Sequence, residues 1–205
     1  MSLERVQKGL AVLVGLFVFY TAATGPFEGL IQRALFLALT ASLGFALYPL
    51  GAGRGWRPVG LAVDLALTAM VLAACGYVIW NYDEIMTSLP WATALDKALT
   101  LGLVLAGLEL GRRTVGLIFP GLVLLGIGYA LFGDLLPGAL HHRGFDSAFV
   151  TETILLGDLG IWGMLTGVAA TVIAAFVLFG ALLLHSGGGQ AFMDLAMRLG
   201  GRQPG

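Results

Sequence analysis

The feature that most constrains this chain is a series of six long apolar segments. Each approaches the roughly 20 residues that a helix needs to cross the hydrocarbon core of a bilayer. The segments cover residues 9–24, 30–50, 58–80, 94–110, 114–132 and 159–184. Strands of a membrane β-barrel alternate polar and apolar residues, whereas runs such as 122–125 and 181–184 are wholly apolar. The sequence therefore predicts an all-α, polytopic transmembrane helical bundle of about six spans.

The composition excludes several classes of protein. Charged residues make up 11% of the chain, against about 25% in soluble domains, so an ordinary cytosolic enzyme and a disordered chain are both excluded. Eleven Lys and Arg residues balance twelve Asp and Glu residues, which leaves no basic excess for nucleic acid. A single cysteine, Cys75, excludes a disulfide scaffold.

Two regions are predicted to lie outside the spans. Residues 134–158 are predicted to form a polar outer segment. After His185, a Gly-rich turn precedes a short segment in which Phe192, Leu195, Ala196 and Leu199 would share one helical face. Such an amphipathic helix suits the membrane interface.

The orientation follows from the excess of Lys and Arg in cytoplasmic loops. With a cytoplasmic N-terminus, only Arg33, Lys97 and Arg143 lie outside. The inner cations would be Arg5, Lys8, Arg54, Arg57, Arg112, Arg113, Arg198 and Arg202. Both ends of the chain are therefore predicted to be cytoplasmic. The alternative is that the first span is a secretory signal, since Arg5 and Lys8 precede its apolar core.

Ionisable residues within spans are candidates for function, because their burial in a bilayer is costly. Asp64 lies about 10 Å from the cytoplasmic start of its helix. It could bind a proton or cation, or it could form a structural ion pair with Arg112 or Arg113 at the same level. Glu109 and Arg113 are spaced i,i+4, which predicts a local pair.

Other polar residues allow simpler interpretations. Arg33 could extend outward to the interface or pair with Glu28. His141 and His142 lie near Asp146 and Glu152, but adjacent histidines point in different directions and no third ligand is spaced for a metal. The sequence shows no catalytic arrangement, phosphate loop or haem-ligand pair. We therefore predict no enzyme activity, cofactor or metal.

A more specific signal comes from a succession of short motifs. The last third contains HRGF (142–145), LGIWG (159–163), LTGV (165–168), FVLFGA (176–181), SGGGQAF (186–192) and DLA (194–196). The first part contributes Gln32-Arg33-Ala34, the Trp56 to Asp64 spacing, residues 82–85, Glu109 with Arg112-Arg113, and residues 128–133. This succession resembles the fused permease of tripartite ATP-independent periplasmic (TRAP) transporters, in the branch that works with TAXI-type binding proteins.

The resemblance implies an architecture and a function. Residues 1–113 would be a small-subunit-like scaffold of four helices, 114–158 a connecting helix and periplasmic linker, and 159–205 the start of a large-subunit-like transport domain. Such permeases are secondary symporters of the bacterial inner membrane. They take up organic acids with a sodium or proton gradient, and a periplasmic binding protein delivers the substrate. His142 and Arg143 would face that partner, as contacts or as part of a structural linker.

In the family, the Gly-rich segment is followed by re-entrant hairpins that hold the cation and substrate sites, as broken helices do in other transporters. The resemblance thus implies that this chain matches the N-terminal portion of a permease and cannot transport alone. The remainder of the large domain would be a partner. One alternative is a membrane structural or assembly protein that transports nothing. Another is a membrane enzyme or electron-transfer subunit, for which the polar residues are too scattered.

Overall fold

The computed structural model describes residues 3–51, 57–89 and 91–200, without the side chains of Arg57 and Gly200. Over these ranges the chain is helical and contains no strand, which confirms the predicted all-α class. Arg54, Trp56 and Arg202, used in the sequence analysis, lie outside the described residues.

Nine helices make up the described ranges. They are α1 (Leu3–Thr24), α2 (Gly29–Leu47), α3 (Arg57–Trp80), α4 (Tyr82–Thr87), α5 (Ala94–Thr114), α6 (Ile118–Phe132), α7 (Ser147–Leu155), α8 (Met164–His185) and α9 (Gly188–Gly200). The helix α8 is continuous but contains a π-helical turn at Ala169–Ile173.

The long helices α1, α2, α3 and α5 alternate in direction. The Gln7 side chain at the start of α1 donates a 2.7 Å hydrogen bond to the Ala46 carbonyl near the end of α2. At the same level, Asp64 near the start of α3 contacts Arg113 at the end of α5. We call this side of the bundle the inner end and the opposite side, where α2 begins, the outer end.

The buried apolar core is formed by side chains of α2, α3, α5 and the end of α7, together with residues of the turn before α8. Helix α2 packs between α1 and α3, α3 packs against α5, and α6 and α7 pack against α5. Small buried side chains line the contacts, among them Ala34, Ala74 and Ala106, each at most 1% exposed. Small residues allow helix axes to approach closely in a membrane, where van der Waals packing drives association.

Five helical stretches of the described ranges are long and apolar enough to cross a membrane, namely α1, α2, α3, α8 and α6 with the 3-10 turn Gly133–Leu135 that continues it. The predicted fourth span falls on α5. This helix has 21 residues, but its ends carry Asp96 and Lys97 at the outer end and Glu109, Arg112 and Arg113 at the inner end. Its charges therefore lie at its two ends, and the stretch between them is uncharged.

One predicted boundary was wrong, and one predicted segment has more structure than expected. The sixth span begins at Met164 rather than at residue 159, because Gly157, Gly160 and Gly163 allow residues 156–163 to form a compact turn. Residues 134–158 are not simply a polar outer segment, since they include α7. The last residue of α7, Leu155, is fully buried in the core.

The last two helices are mostly exposed. Helix α8 crosses α1 and α2, yet most of its apolar side chains remain uncovered. In α9, every side chain from residue 190 to residue 199 is exposed. The predicted amphipathic segment is therefore a helix, and its apolar face is exposed.

Candidate functional site

An ionic network at the inner end brings together all four residues that the sequence offers as candidates for an intramembrane ion pair. They are Asp64, Glu109, Arg112 and Arg113. Arg113 Nη1 lies 2.6 Å from Asp64 Oδ1, and Arg113 Nε lies 2.8 Å from Glu109 Oε1. Arg112 contacts the same Glu109 carboxylate through two nitrogens, at 2.7 and 2.8 Å. The spacing of three and four residues within α5 places both guanidinium groups over one carboxylate.

Backbone groups complete this network. Asp64 Oδ2 accepts a 3.0 Å hydrogen bond from the Leu50 amide, and Arg113 Nη1 donates to the Tyr48 carbonyl at 2.9 Å. The Arg113 guanidinium also lies 5.3 Å from the centroid of the Phe45 ring. Residues 48–50, which follow α2, are thereby tied to the end of α5.

Burial determines how this network can act. The Asp64 and Arg113 side chains are only 9% and 6% exposed, so each charge needs its partner. Both Asp64 oxygens already accept hydrogen bonds within the protein. The geometry thus favours the structural ion pair over a proton or cation ligand for Asp64.

His142 has a well-defined structural environment in the outer loop. Its Nδ1 accepts a 3.1 Å hydrogen bond from the Gly144 amide, so Nε2 carries the proton and donates to the Tyr129 carbonyl at 2.9 Å. The ring packs over Gly133, where a Cβ atom would lie 1.8 Å from Nε2. Both ring nitrogens are therefore occupied, and His142 holds the loop on the end of α6.

Arg143, the second predicted partner contact, is exposed at the outer end. It lines a cavity of about 620 Å³ together with Lys97, Asp146 and Glu152. Glu152 Oε1 accepts a 3.1 Å hydrogen bond from the Ala92 amide, which connects α7 to the start of α5. This open cavity has charged side chains of both signs.

A junction at the outer end joins α2 to the segment before and within α8. Gln32, which is 2% exposed, donates to the Ala170 carbonyl in the π-helical turn at 3.1 Å. Arg33 Nη1 donates to the Trp162 carbonyl. Trp162 is itself fully buried, and its Nε1 donates to the Leu155 carbonyl at 2.9 Å.

Sequence reasoning missed this junction. Arg33 was expected to extend to the interface or to pair with Glu28, but its observed partner is a backbone carbonyl. Glu28 instead lies beside Tyr82 in α4, where its carboxylate raises the pKa of that hydroxyl by hydrogen bonding. The available signal was a Gln-Arg pair at the start of an apolar helix, because such polar groups need partners in a membrane.

Another buried polar group appears at the start of α5. Asp96 is 2% exposed and forms a capping box with Thr93, whose amide and hydroxyl both donate to Asp96 Oδ2. No group of three or more potential metal ligands occurs among the residues that the structure covers. These sites therefore hold helices and loops together through ion pairs and hydrogen bonds.

No family model, curated protein or solved structure matches the chain.

Proposed function

We propose that the chain is a membrane component of a secondary, ion-gradient-driven transporter of the TRAP type that carries organic acids. One observation carries the proposal beyond the order of the motifs. Gln32 and Arg33 belong to the motifs of the first part, and Trp162 belongs to those of the last third. Hydrogen bonds from α2 to Trp162 and Ala170 bring these two regions together at the outer end.

In this proposal, α1, α2, α3 and α5 are the static scaffold. The buried pair of Asp64 and Arg113 keeps α3, α5 and the segment before α3 in register. A scaffold of this kind must resist deformation while another domain moves against it. Buried, paired charges provide such resistance, since breaking the pair leaves an uncompensated charge.

The exposed surfaces suit the proposed partners. The uncovered apolar face of α8 would contact the remainder of a large permease domain or the lipid bilayer. The outer surface around Lys97 and Arg143 would contact a periplasmic substrate-binding protein. Sodium or protons would be the coupling ion, and we assign neither an ion ligand nor a substrate ligand to any residue of this chain.

The test is uptake of radiolabelled organic acids into proteoliposomes under an imposed sodium or pH gradient. We expect no uptake with this chain alone. We expect gradient-dependent uptake when it is reconstituted with a large permease domain and a binding protein encoded beside it. Saturable uptake by the chain alone would contradict the proposal that transport requires a large permease domain in addition to this chain. Absence of uptake from the complete set would favour the alternative of a non-transporting structural or assembly protein.

A further inference from the structure

Arg33 occupies a cleft between α2 and α8 at the outer end. The cleft has a volume of about 380 Å³, and Phe27, Met164, Val168 and Thr171 are among the residues that line it. Arg33 is the fifth residue of α2, which places it about 6 Å along the helix axis. Its guanidinium is therefore near the predicted outer boundary of the membrane, and its side chain is half-buried.

This cation has no carboxylate partner in the part of the chain that the structure describes. The ion pairs found there involve Glu4, Asp64 and Glu109, and Arg33 is in none of them. Its single protein hydrogen bond in the same ranges runs from Nη1 to the Trp162 carbonyl. The Nε and Nη2 groups donate to no protein acceptor in the same ranges, and Gly167 of α8 lies beside both of them.

Two glycines make room for this guanidinium. A Cβ atom on Gly167 would lie 2.9 Å from Arg33 Nε, and one on Gly29 would lie 3.7 Å from Nη2. The cleft therefore fixes the position of the guanidinium. A guanidinium held in place, with N–H groups that have no protein acceptor, can donate charge-assisted hydrogen bonds to oxygens of a phosphate or carboxylate.

The surroundings indicate which anion fits. Along α8, the exposed side chains of Val168, Val172 and Phe176 continue from the cleft toward the inner end. An apolar strip below a cation at the membrane boundary is suited to acyl chains below a phosphate group, because the cation attracts the anionic headgroup while the acyl chains cover the apolar side chains. We propose that Arg33 binds the phosphodiester of an anionic phospholipid of the outer leaflet.

This site does not depend on the proposed transport function, since it requires only the chain and a bilayer. The experiment is native mass spectrometry of the full chain, titrated in turn with phosphatidylglycerol and phosphatidylcholine. We expect tighter binding of phosphatidylglycerol. The substitution Arg33→Gln should weaken that binding about tenfold, because it removes the charge-assisted hydrogen bonds.

Two further variants separate a specific site from general charge. Arg143→Gln removes an exposed cation of the same outer end and should bind lipid as the wild type does. Gly167→Ala keeps every charge but adds the Cβ atom beside Arg33 Nε, so it should weaken phosphatidylglycerol binding. If Arg33→Gln does not fold, phosphatidylglycerol binding by Gly167→Ala still tests the site, because alanine is compatible with a helix.

Three outcomes would overturn the assignment. The first is equal affinity of the wild type for the two lipids, and the second is unchanged phosphatidylglycerol binding in both Arg33→Gln and Gly167→Ala. The third concerns the source of the anion. If millimolar inorganic phosphate displaces phosphatidylglycerol completely and raises the melting temperature of the wild type but not of Arg33→Gln, the site binds a free aqueous anion.

Discussion

Three arginines of this chain carry the same charge in three different environments. Arg113 is 6% exposed and is held by two carboxylates. Arg33 is half-buried and donates to a backbone carbonyl. Arg143 is exposed and lines an open cavity. Removing each charge should therefore have a different effect: loss of stability for Arg113, loss of an anion site for Arg33, and little structural effect for Arg143.

The Asp64–Arg113 pair can be tested with a double-mutant cycle. Asp64→Asn keeps an oxygen that can accept from the Leu50 amide but removes the charge, so Arg113 loses a buried carboxylate partner. Breaking a buried pair costs about 3–5 kcal/mol, and we expect each single substitution, Asp64→Asn or Arg113→Gln, to lower the melting temperature strongly in detergent. The double variant should be more stable than the sum of the two effects predicts.

Arg112→Gln is the matched control for this cycle. Its side chain is 42% exposed and contacts Glu109 but not Asp64. Exposed ion pairs contribute about 0–1 kcal/mol, so this variant should melt close to the wild type. Strictly additive losses for Asp64→Asn and Arg113→Gln would show that the two charges do not stabilise each other.

At the scale of helices, the sequence predicts what its apolar runs determine and little about the turns. The long apolar segments with polar ends predict α1, α2 and α3, because a single segment in lipid can satisfy all its backbone hydrogen bonds only as a helix. The shared level of Asp64 and Arg113 could also be read from helix rise. The turn at 156–163 could not, because its partner groups are backbone carbonyls such as that of Trp162, which no residue pattern reveals.

The turn before α8 should depend on one glycine more than on another. A Cβ atom on Gly160 would lie 2.2 Å from the Thr153 carbonyl oxygen and 2.6 Å from Ile154 Cα, whereas one on Gly157 would meet only the Glu152 carbonyl oxygen at 3.5 Å. We expect Gly160→Ala to destabilise the protein by about 1–3 kcal/mol, as overpacking of a tight site does. Gly157→Ala, the matched control, should change stability by less than about 0.5 kcal/mol.

The measurement is the melting temperature of each variant in the same detergent, with hydrogen exchange followed across residues 147–170. Faster exchange in Gly160→Ala should be concentrated in α7 and the start of α8, because these two helices flank the turn. Equal stability of the two alanine variants would mean that the backbone contacts around Gly160 relax at no cost.

At the scale of the whole molecule, the two ends of the bundle are held by different forces. The inner end is joined by the buried ionic network of Asp64, Glu109 and Arg113. The outer end is joined by hydrogen bonds from Gln32 and Arg33 to carbonyl groups of the chain before and within α8. Side-chain ion pairs fix helices α3 and α5, whereas the outer junction fixes a turn and a π-helical segment.

The predicted orientation places the inner end in the cytoplasm, and it depends on whether α5 crosses the membrane. Three long helices, α5, α6 and α8, and the short helix α7 lie between Ser88 and Ser186, and both serines are exposed. If all three cross, the serines lie on opposite sides. If α5, the most highly charged of them, does not cross, they lie on the same side. We expect opposite sides, because α5 packs along α3 and its ionisable residues lie at its two ends.

Substituted-cysteine labelling with a membrane-impermeant maleimide tests this in cells whose outer membrane has been made permeable. Ser88→Cys should react while the inner membrane is intact, and Ser186→Cys should react only after that membrane is opened. The unmodified chain is the background control, since its one cysteine, Cys75, is 1% exposed. Equal labelling of both positions before opening would exclude α5 as a span. Labelling of Ser186→Cys alone would keep the three crossings but reverse the orientation, against the excess of Lys and Arg at the inner end.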